Sequence, residues 1–198
     1  MRSGYTASLA PSPAFGRRLR TLAYGEGADR CQQVGVVADG GVWIWQEVGK
    51  YFASKRQILD FYHVTEHLWT LAQARFGGRN DAAHHWVSEQ KGRLLSDRAG
   101  EVMAAVQTWR PRKAASQKIR RNLLAYLQTH RHRMAYQTFR AEGWHIGSGV
   151  IEAGCKCVVK ARMGGAGMRW SRAGAEAMLQ LCAAWRSSDP IDFRKYAY

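Results

Sequence analysis

The stretch VGVVADGGVWIWQEVGKYFASKRQILDFYHVTEH, residues 34–67, decides the fold of this chain. It holds two short apolar runs, each closed by an aspartate, Asp39 in the first and Asp60 in the second. A helix-length segment separates the runs, and this order is typical of neighbouring parallel strands. In open parallel sheets, functional groups gather at the carboxyl ends of strands. The pattern makes Asp39 a candidate site residue, and an ordinary Asp-Gly turn explains it equally well.

The composition favours one folded domain with a polyanionic partner. The chain has 198 residues, of which 46% are hydrophobic, so it can bury a core. A formal net charge of +15 favours nucleic acid as a partner, and plain solubility is the alternative reason for it. The four cysteines form no Cys-x-x-Cys pair, which argues against a zinc ribbon and fits reduced thiols in the cytosol. No apolar run approaches a membrane span or a signal-peptide core, so no membrane partner is expected.

Apolar periodicity and turn residues divide the chain into five segments. The expected fold class is α/β and predominantly helical, because only two segments of the chain carry a strand pattern. The five segments are an irregular lead-in (1–13), a part with two parallel strands and helices (14–78), a helical insertion (79–142), C-terminal helices (143–187) and a tail (188–198). The pattern predicts helices over residues 15–24, 43–52, 63–76 and 171–186 and a second strand over residues 57–61.

The helical insertion is densely basic. A solvated helix face would explain this, but we interpret the basic face as a surface for nucleic acid. Its basic residues include Arg110, Arg112, Lys113, Lys118, Arg120, Arg121, Arg131 and Arg133.

The motif His63-Val64-Thr65-Glu66-His67 has the spacing H-x-x-E-H of inverted zinc peptidases. On a helix, His63 and His67 lie one turn apart and could share a Zn²⁺, with Glu66 beside them. The motif directly follows a strand that ends in Asp60, which is a poor match to a zinc-peptidase helix. Polar groups packed at a strand–helix junction are an equally good explanation.

A second constellation is acidic. Asp39 ends a strand, and Glu152 lies near the start of a late helix. Carboxylates far apart in sequence can converge where strand ends and helix starts meet at one edge of a sheet, and Mg²⁺ or Mn²⁺ prefers such oxygen ligands. Two such ions, on the order of 4 Å apart, can hold both oxygens of a phosphodiester displacement. We therefore expect Asp39 and Glu152 to face one cleft.

Three blocks of the sequence resemble a known family. They are VVADGGVWIWQ, ILDFYHVTEHLW, and GSGVIEAGCKCVVKARM followed by GMRW. In order and spacing they are similar to the C-terminal half of bacterial insertion-sequence transposases of the Kra type, related to the Mutator-like branch of the DDE enzymes. The resemblance covers about residues 15–187. It implies an RNase H-like catalytic domain with a helical insertion, and an activity of metal-dependent DNA cleavage and strand transfer in transposition.

The resemblance also assigns roles to individual residues. Asp39 matches the second acidic residue of the catalytic triad and Glu152 the third, so both would bind Mg²⁺ or Mn²⁺. Asp60 and His63 match the Cys/Asp-x-x-His signature of the branch; His63 joins the catalytic residues, and the supporting motif continues to Glu66 and His67. Residues Lys156, Lys160, Arg162 and Arg169 are expected to contact DNA together with those of the insertion.

The resemblance fails at the front of the chain. In the family the first aspartate lies on a strand well upstream of an Asp-Gly such as Asp39-Gly40, whereas here only Glu26 and Asp29 precede it. We therefore expect a truncated transposase that lacks three strands and one metal ligand. The alternative is a catalytically inactive DNA-binding fragment that forms a homo-oligomer or pairs with an intact transposase. Either would bind double-stranded DNA at element ends and targets in the bacterial cytoplasm, at the nucleoid.

Overall fold

The computed structural model describes residues 3–52 and 55–188. Over these residues the protein is predominantly helical and contains one two-stranded parallel sheet, as the sequence predicts. Residues 1–2 of the predicted lead-in and residues 189–198 of the predicted tail lie outside the described part. In the part that the structure describes, no helix has both the length and the apolar character that crossing a membrane requires.

The described residues form two compact units. The terminal unit contains those of the segments Met1–Val34, Val42–Ser54 and Gly149–Tyr198. The central unit contains those of Gly35–Gly41 and Lys55–Ser148. The boundaries of these units differ from those of the predicted segments, because residues distant in sequence pack together in each unit.

The sheet pairs β1 (Val34–Ala38) with β2 (Lys55–Leu59). Helix α2 (Val42–Tyr51) lies between the two strands in sequence, as a parallel connection requires. The N–H of Asp60 donates to the carbonyl oxygen of Ala38 at 2.8 Å, so the pairing continues one residue past β2. The strand therefore ends two residues earlier than predicted, because Asp60 already caps the next helix.

The helices of the central unit bury one apolar core. Helix α3 (Phe61–Phe76) packs against α4 (Asp81–Leu94) and α6 (Ala114–His130). Helix α5 (Ala99–Thr108) also packs against α4 and α6. Fully buried core residues include Ile58 and Leu59 of β2, Leu68 of α3, Leu94 of α4 and Leu127 of α6. The predicted insertion is helical throughout its regular elements, as expected. A further helix of this unit, α7 (Tyr136–Ala141), follows α6 in sequence.

The terminal unit packs α1 (Ser12–Gly25) against α2. Glycine is required at Gly16, since a Cβ there would lie 2.5 Å from Oε2 of the buried Glu47. The chain returns through α8 (Gly149–Gly154), a π-helical turn (Cys155–Lys160) and α9 (Ala161–Met163), and ends in α10 (Arg172–Arg186).

Two side chains of the terminal unit fix its last helix. The Ser171 side chain caps α10 by accepting from the N–H of Gly174. The helix therefore begins at Arg172, one residue later than predicted. Glu176 of α10 accepts hydrogen bonds from the Ser8 hydroxyl and the Leu9 N–H, so the irregular lead-in is held against this helix.

Candidate functional site

Asp60 is a buried carboxylate with a full set of hydrogen-bond donors. It is only 3% exposed. As N-cap of α3, its Oδ1 accepts from the N–H groups of Tyr62 at 2.7 Å and His63 at 3.2 Å. Its Oδ2 accepts from the N–H of Ser148 at 2.9 Å and from the Ser148 hydroxyl. Because these hydrogen bonds go to a carboxylate and the group is buried, Asp60 fixes the end of β2 to a loop far along the chain.

The backbone repeats this lock beside Asp60. The N–H of Phe61 donates to the carbonyl oxygen of Ile146 at 2.9 Å. The start of α3 and the segment that follows the helical insertion therefore meet at the carboxyl end of β2. Asp60 therefore holds this junction together, and its predicted support of a catalytic site stays a prediction.

Asp39 occupies the corresponding position after β1 but is exposed. Its Oδ1 accepts from the N–H of Gly41 at 2.9 Å, and its carbonyl oxygen accepts from the hydroxyl of Tyr126 at 2.8 Å. The intervening Gly40 has a φ of 96°, and a Cβ there would lie 2.9 Å from the Tyr126 ring. A fixed turn therefore presents the Asp39 carboxylate to solvent, where a hard cation could reach it.

Aromatic rings and imidazoles surround Tyr126 beside this turn. The ring centroid of Tyr126 lies 4.5 Å from that of His67, 4.9 Å from that of His130 and 6.4 Å from that of His63. The rings of His63 and His67 are 4.8 Å apart. We call these four residues the Tyr126 cluster.

Burial sets the protonation of the Tyr126 cluster. It raises the pKa of Tyr126 above its ordinary value of 10.0, and the negative charges of Asp39 and Asp60 add to this effect. It lowers the pKa of His67, and the nearby His63 lowers it further while Glu66 opposes the shift. At neutral pH the cluster therefore offers a neutral phenol donor and a neutral His67 imidazole at the Asp39 turn.

Sequence reasoning missed Tyr126 and His130. They lie one turn apart on α6, beside the buried Leu123 and Leu127 of the same helix. The available signal was two polar aromatic residues at i and i+4 next to a buried stripe. Their meaning depends on the packing of α6 against α3, which no local pattern contains.

The H-x-x-E-H motif lies on α3 as expected, but its geometry is not that of a closed metal site. The planes of His63 and His67 are 85° apart, and Nδ1 of His63 lies 3.3 Å from Oε2 of Glu66. The Glu66 side chain is 74% exposed. Within residues 3–52 and 55–188, no group of three or more His, Cys, Asp or Glu side chains is arranged to hold a metal ion. The zinc-peptidase alternative therefore finds no third ligand in this part of the chain.

Glu152 is exposed on α8 of the terminal unit, whereas Asp39 belongs to the central unit. Both carboxylates are accessible oxygen ligands of the kind that Mg²⁺ and Mn²⁺ prefer. Their chemistry fits a divalent cation, and their predicted meeting in one cleft stays a prediction.

The basic insertion contains a groove at the start of α6. It has a volume of about 490 Å³. The N–H groups of Arg110 and Arg120 both donate to the carbonyl oxygen of Gln107, at 2.6 and 3.3 Å. We call this the arginine groove, and it is lined by Arg110, Pro111, Gln117, Arg120, Arg121, Leu124, Ala125 and Gln128.

The other predicted DNA-binding residues lie outside the arginine groove. In the central unit, Arg112, Lys113 and Lys118 are exposed around it. The Nε of Arg133 donates to Gln57 of β2 at 2.7 Å, so this arginine supports the sheet rather than the basic surface. In the terminal unit, the predicted residues are all exposed, namely Lys156, Lys160, Arg162 and Arg169.

Comparison with family models, curated proteins and solved structures finds no match for this chain. The functional evidence therefore consists of the sequence patterns and the geometry of Asp39, the Tyr126 cluster and the arginine groove.

Proposed function

We propose that this chain acts on double-stranded DNA as part of a DDE-type transposase, whose reaction is metal-dependent DNA cleavage and strand transfer. The observation that carries the proposal is the exposed Asp39 carboxylate at the end of β1. A DNA-cleaving site needs a carboxylate that is fixed in position yet open to cation and substrate. The Gly40 turn and the Tyr126 hydroxyl provide that combination in the central unit.

The fold is compatible with this proposal. Two parallel strands joined through a helix, followed by a helical insertion, occur in the order that an RNase H-like domain of this family would need. The last predicted acidic residue, Glu152, follows the insertion on α8. This order of elements supports the proposal that Asp39 and Glu152 are metal ligands. The RNase H-like fold itself is part of the proposal.

The residues have separable tasks in the proposed reaction. Asp39 and Glu152 would hold Mg²⁺ or Mn²⁺, which supplies a Lewis acid for the phosphodiester and activates the attacking oxygen. Asp60 holds the start of α3, and α3 in turn places His63 and His67 beside the Asp39 turn. The neutral His67 imidazole is suited to accept or donate a proton near neutral pH.

Charge supports DNA as the partner. Residues 102–141 contain no Asp or Glu, although Lys and Arg are frequent there. Duplex DNA would therefore meet an excess of positive charge along this segment, and phosphate contacts would dominate the affinity. The chain would work in the bacterial cytoplasm at the nucleoid, as a homo-oligomer or together with an intact transposase.

A second candidate is a DNA-binding protein without cleavage activity. The arginine groove favours it, because DNA binding by arginines needs none of the carboxylates. Both candidates predict salt-dependent binding of duplex DNA, and they differ in whether Asp39 and Glu152 matter.

A cleavage and binding assay separates the two candidates. Affinity for duplex DNA should fall steeply with salt, with a log–log slope of about −0.9 per phosphate contact. Because a chain that lacks one metal ligand should cleave poorly, the first candidate predicts weak Mn²⁺-dependent cleavage or joining that is lost in Asp39→Ala. This activity should be retained in Asp81→Ala, which removes an exposed carboxylate from the first turn of α4. DNA binding without cleavage would favour the second candidate, and absence of DNA binding at low salt would contradict both.

Metal binding gives an independent readout. In isothermal titration with Mn²⁺, Asp39→Ala and Glu152→Ala should each weaken binding, and the loss in the double variant should be smaller than the sum of the two single losses. Such non-additivity is expected when two ligands hold the same ion. Independent, additive effects would show that the two carboxylates do not share an ion.

A further inference from the structure

We infer that the arginine groove is a binding site for one nucleotide of a DNA strand. The backbone phosphate would lie on Arg110, Arg120 and Arg121, and the sugar against Leu124 and Ala125. This inference rests on the proposed DNA binding and deepens it, because it separates one built contact site from a diffuse positive surface.

The guanidinium groups of the groove are held together by the fold. Arg110 comes from the loop after α5, whereas Arg120 comes from α6. Both donate to the carbonyl oxygen of Gln107, so one acceptor fixes two groups of like charge side by side. A guanidinium has five N–H donors in a planar fork, and this bond uses one donor of each. The remaining donors suit the oxygens of a phosphodiester.

Within the described part of the chain, no carboxylate neutralises the charge of the groove. Arg110, Arg120 and Arg121 form no ion pair with any carboxylate in the part of the chain that the structure describes. The Nε of Arg120 is buried and has no acceptor among these described residues. Since clustered like charges destabilise the free protein, an anion bound to the exposed ends of these guanidinium groups would relieve their repulsion.

The size and lining of the groove fit a nucleotide better than a small free anion. Its volume of about 490 Å³ lies within the range of about 300–1,000 Å³ typical of sites for organic ligands. Pro111, Leu124 and Ala125 provide apolar surface for a sugar, while Gln117 and Gln128 add amide groups at the side. Phosphate-binding arginines beside such apolar surface suit a unit of a DNA strand.

The neighbouring basic residues provide matched controls. Arg112 and Lys118 carry the same charge, are exposed, and do not line the groove. They attract DNA only through the general field, in which a single exposed charge has a small effect. A variant that loses one positive charge inside the groove has the same net charge as a variant that loses one outside it. Comparison of the two therefore tests the nucleotide-binding site.

The test is fluorescence anisotropy of a labelled DNA duplex with the full chain at several salt concentrations. Arg110→Ala and Arg120→Ala should each weaken binding by about 10-fold or more, as for a lost charge-assisted hydrogen bond. Arg112→Ala and Lys118→Ala should each weaken it by less than about 5-fold. Arg120→Lys keeps the charge but loses the fork, so it should also weaken binding. Arg140→Lys should not, because Arg140 is exposed, does not line the groove and is not among the predicted DNA-binding residues.

The outcomes separate the groove from the proposed function. Suppose that the wild-type protein binds DNA and that the groove variants and the control variants lose affinity equally. The assignment of a nucleotide-binding site to the groove is then wrong, and the proposed DNA binding stands. If wild-type protein binds no DNA, the proposed function itself fails. Displacement of the duplex by an equal concentration of thymidine monophosphate would identify a free-nucleotide site and overturn the DNA assignment. Unchanged thermal unfolding of Arg110→Ala and Arg120→Lys keeps these readings independent of folding.

Discussion

Asp39 and Asp60 close two neighbouring parallel strands of the central unit, yet their surroundings are opposite. Asp60 is 3% exposed and accepts from Tyr62, His63 and Ser148, while Asp39 is exposed and its carboxylate accepts from Gly41. The difference teaches that a strand-ending aspartate can either build the site or face the ligand. A buried, fully bonded carboxylate has no free oxygen for a cation, whereas an exposed one has.

The residues that follow each aspartate explain the difference. Phe61 continues directly into α3, so the Asp60 carboxylate turns back and caps that helix. Gly40 adopts a φ of 96° and turns the chain away from the strand direction, which leaves the Asp39 side chain outside.

The largest expected effect comes from Asp60→Ala. This substitution leaves two N–H groups of α3 and both donors of Ser148 without their acceptor in a buried site. We expect a loss of about 3 kcal/mol or more in the free energy of unfolding, measured by urea denaturation. Asp39→Ala is the matched control and should change it by about 0.5 kcal/mol or less. Equal losses in the two variants would contradict the division into structural and accessible carboxylates.

Ser148→Ala should have the next largest effect on stability. It removes the hydroxyl donor to Asp60 but keeps the N–H donor, so we expect a loss of about 1–2 kcal/mol in unfolding free energy. A double-mutant cycle with Asp60→Asn should give a coupling energy of about 1 kcal/mol. Additive losses would show that the hydroxyl does not bond to Asp60 in solution.

The pH dependence of stability should distinguish the Asp39 end of the sheet. Burial lowers the pKa of His67 and of His130 below their ordinary value of 6.5, so the unfolded chain binds more protons as the pH falls below that value. Unfolding free energy should therefore fall with decreasing pH, by at most about 1.4 kcal/mol per pH unit for each histidine, until the folded-state pKa is passed. His67→Gln should flatten this slope between pH 7 and about 5, measured by urea denaturation at each pH. An unchanged slope would place His67 in water.

Tyr126→Phe should have the smallest effect among these variants. The ring keeps its contacts with His67 and His130, and only the hydrogen bond to the Asp39 carbonyl is lost. We expect a loss of about 0.5–1.5 kcal/mol in thermal or urea unfolding. Hydrogen exchange at the amides of Gly40 and Gly41 should rise in this variant and stay unchanged in Tyr62→Phe, whose side chain is exposed. Exchange that rises equally in both variants would contradict a role for Tyr126 at the turn.

Local patterns of sequence predicted much of the backbone. The alternation of apolar runs and turns around Asp39 and Asp60 gave the two strands and their helix, and the absence of strand patterns gave the helical insertion. Both follow from periodicity, which is a property of neighbouring residues. The predicted irregular lead-in (1–13) agrees with residues 3–11, which form no helix or strand, but it is wrong for Ser12 and Pro13, which begin α1.

The candidate site was harder to predict because its contacts join distant residues. Ser148 directly precedes α8, yet its hydroxyl donates to Asp60, 88 residues earlier. Tyr126 reaches the Asp39 carbonyl across 87 residues. Such pairs depend on tertiary packing, so the exposed Asp39 was recognisable from its pattern and the groups that hold its turn were not.

The meeting of residues 60–61 with residues 146–148 makes the segment between them a closed loop tied at one point. For a flexible loop, each doubling in length raises the entropic cost of closure by only about 0.6 kcal/mol. The strand pair can therefore tolerate inserted segments of very different lengths, provided that Asp60 and Ser148 still meet. Lengthening the loop between α3 and α4 at Gly77-Gly78 by a short Gly-Ser segment should leave the unfolding transition nearly unchanged. The same addition between Ile146 and Ser148 should prevent the hydrogen bonds of Phe61 with Ile146 and of Ser148 with Asp60 from forming together. It should therefore lower the midpoint of the unfolding transition sharply.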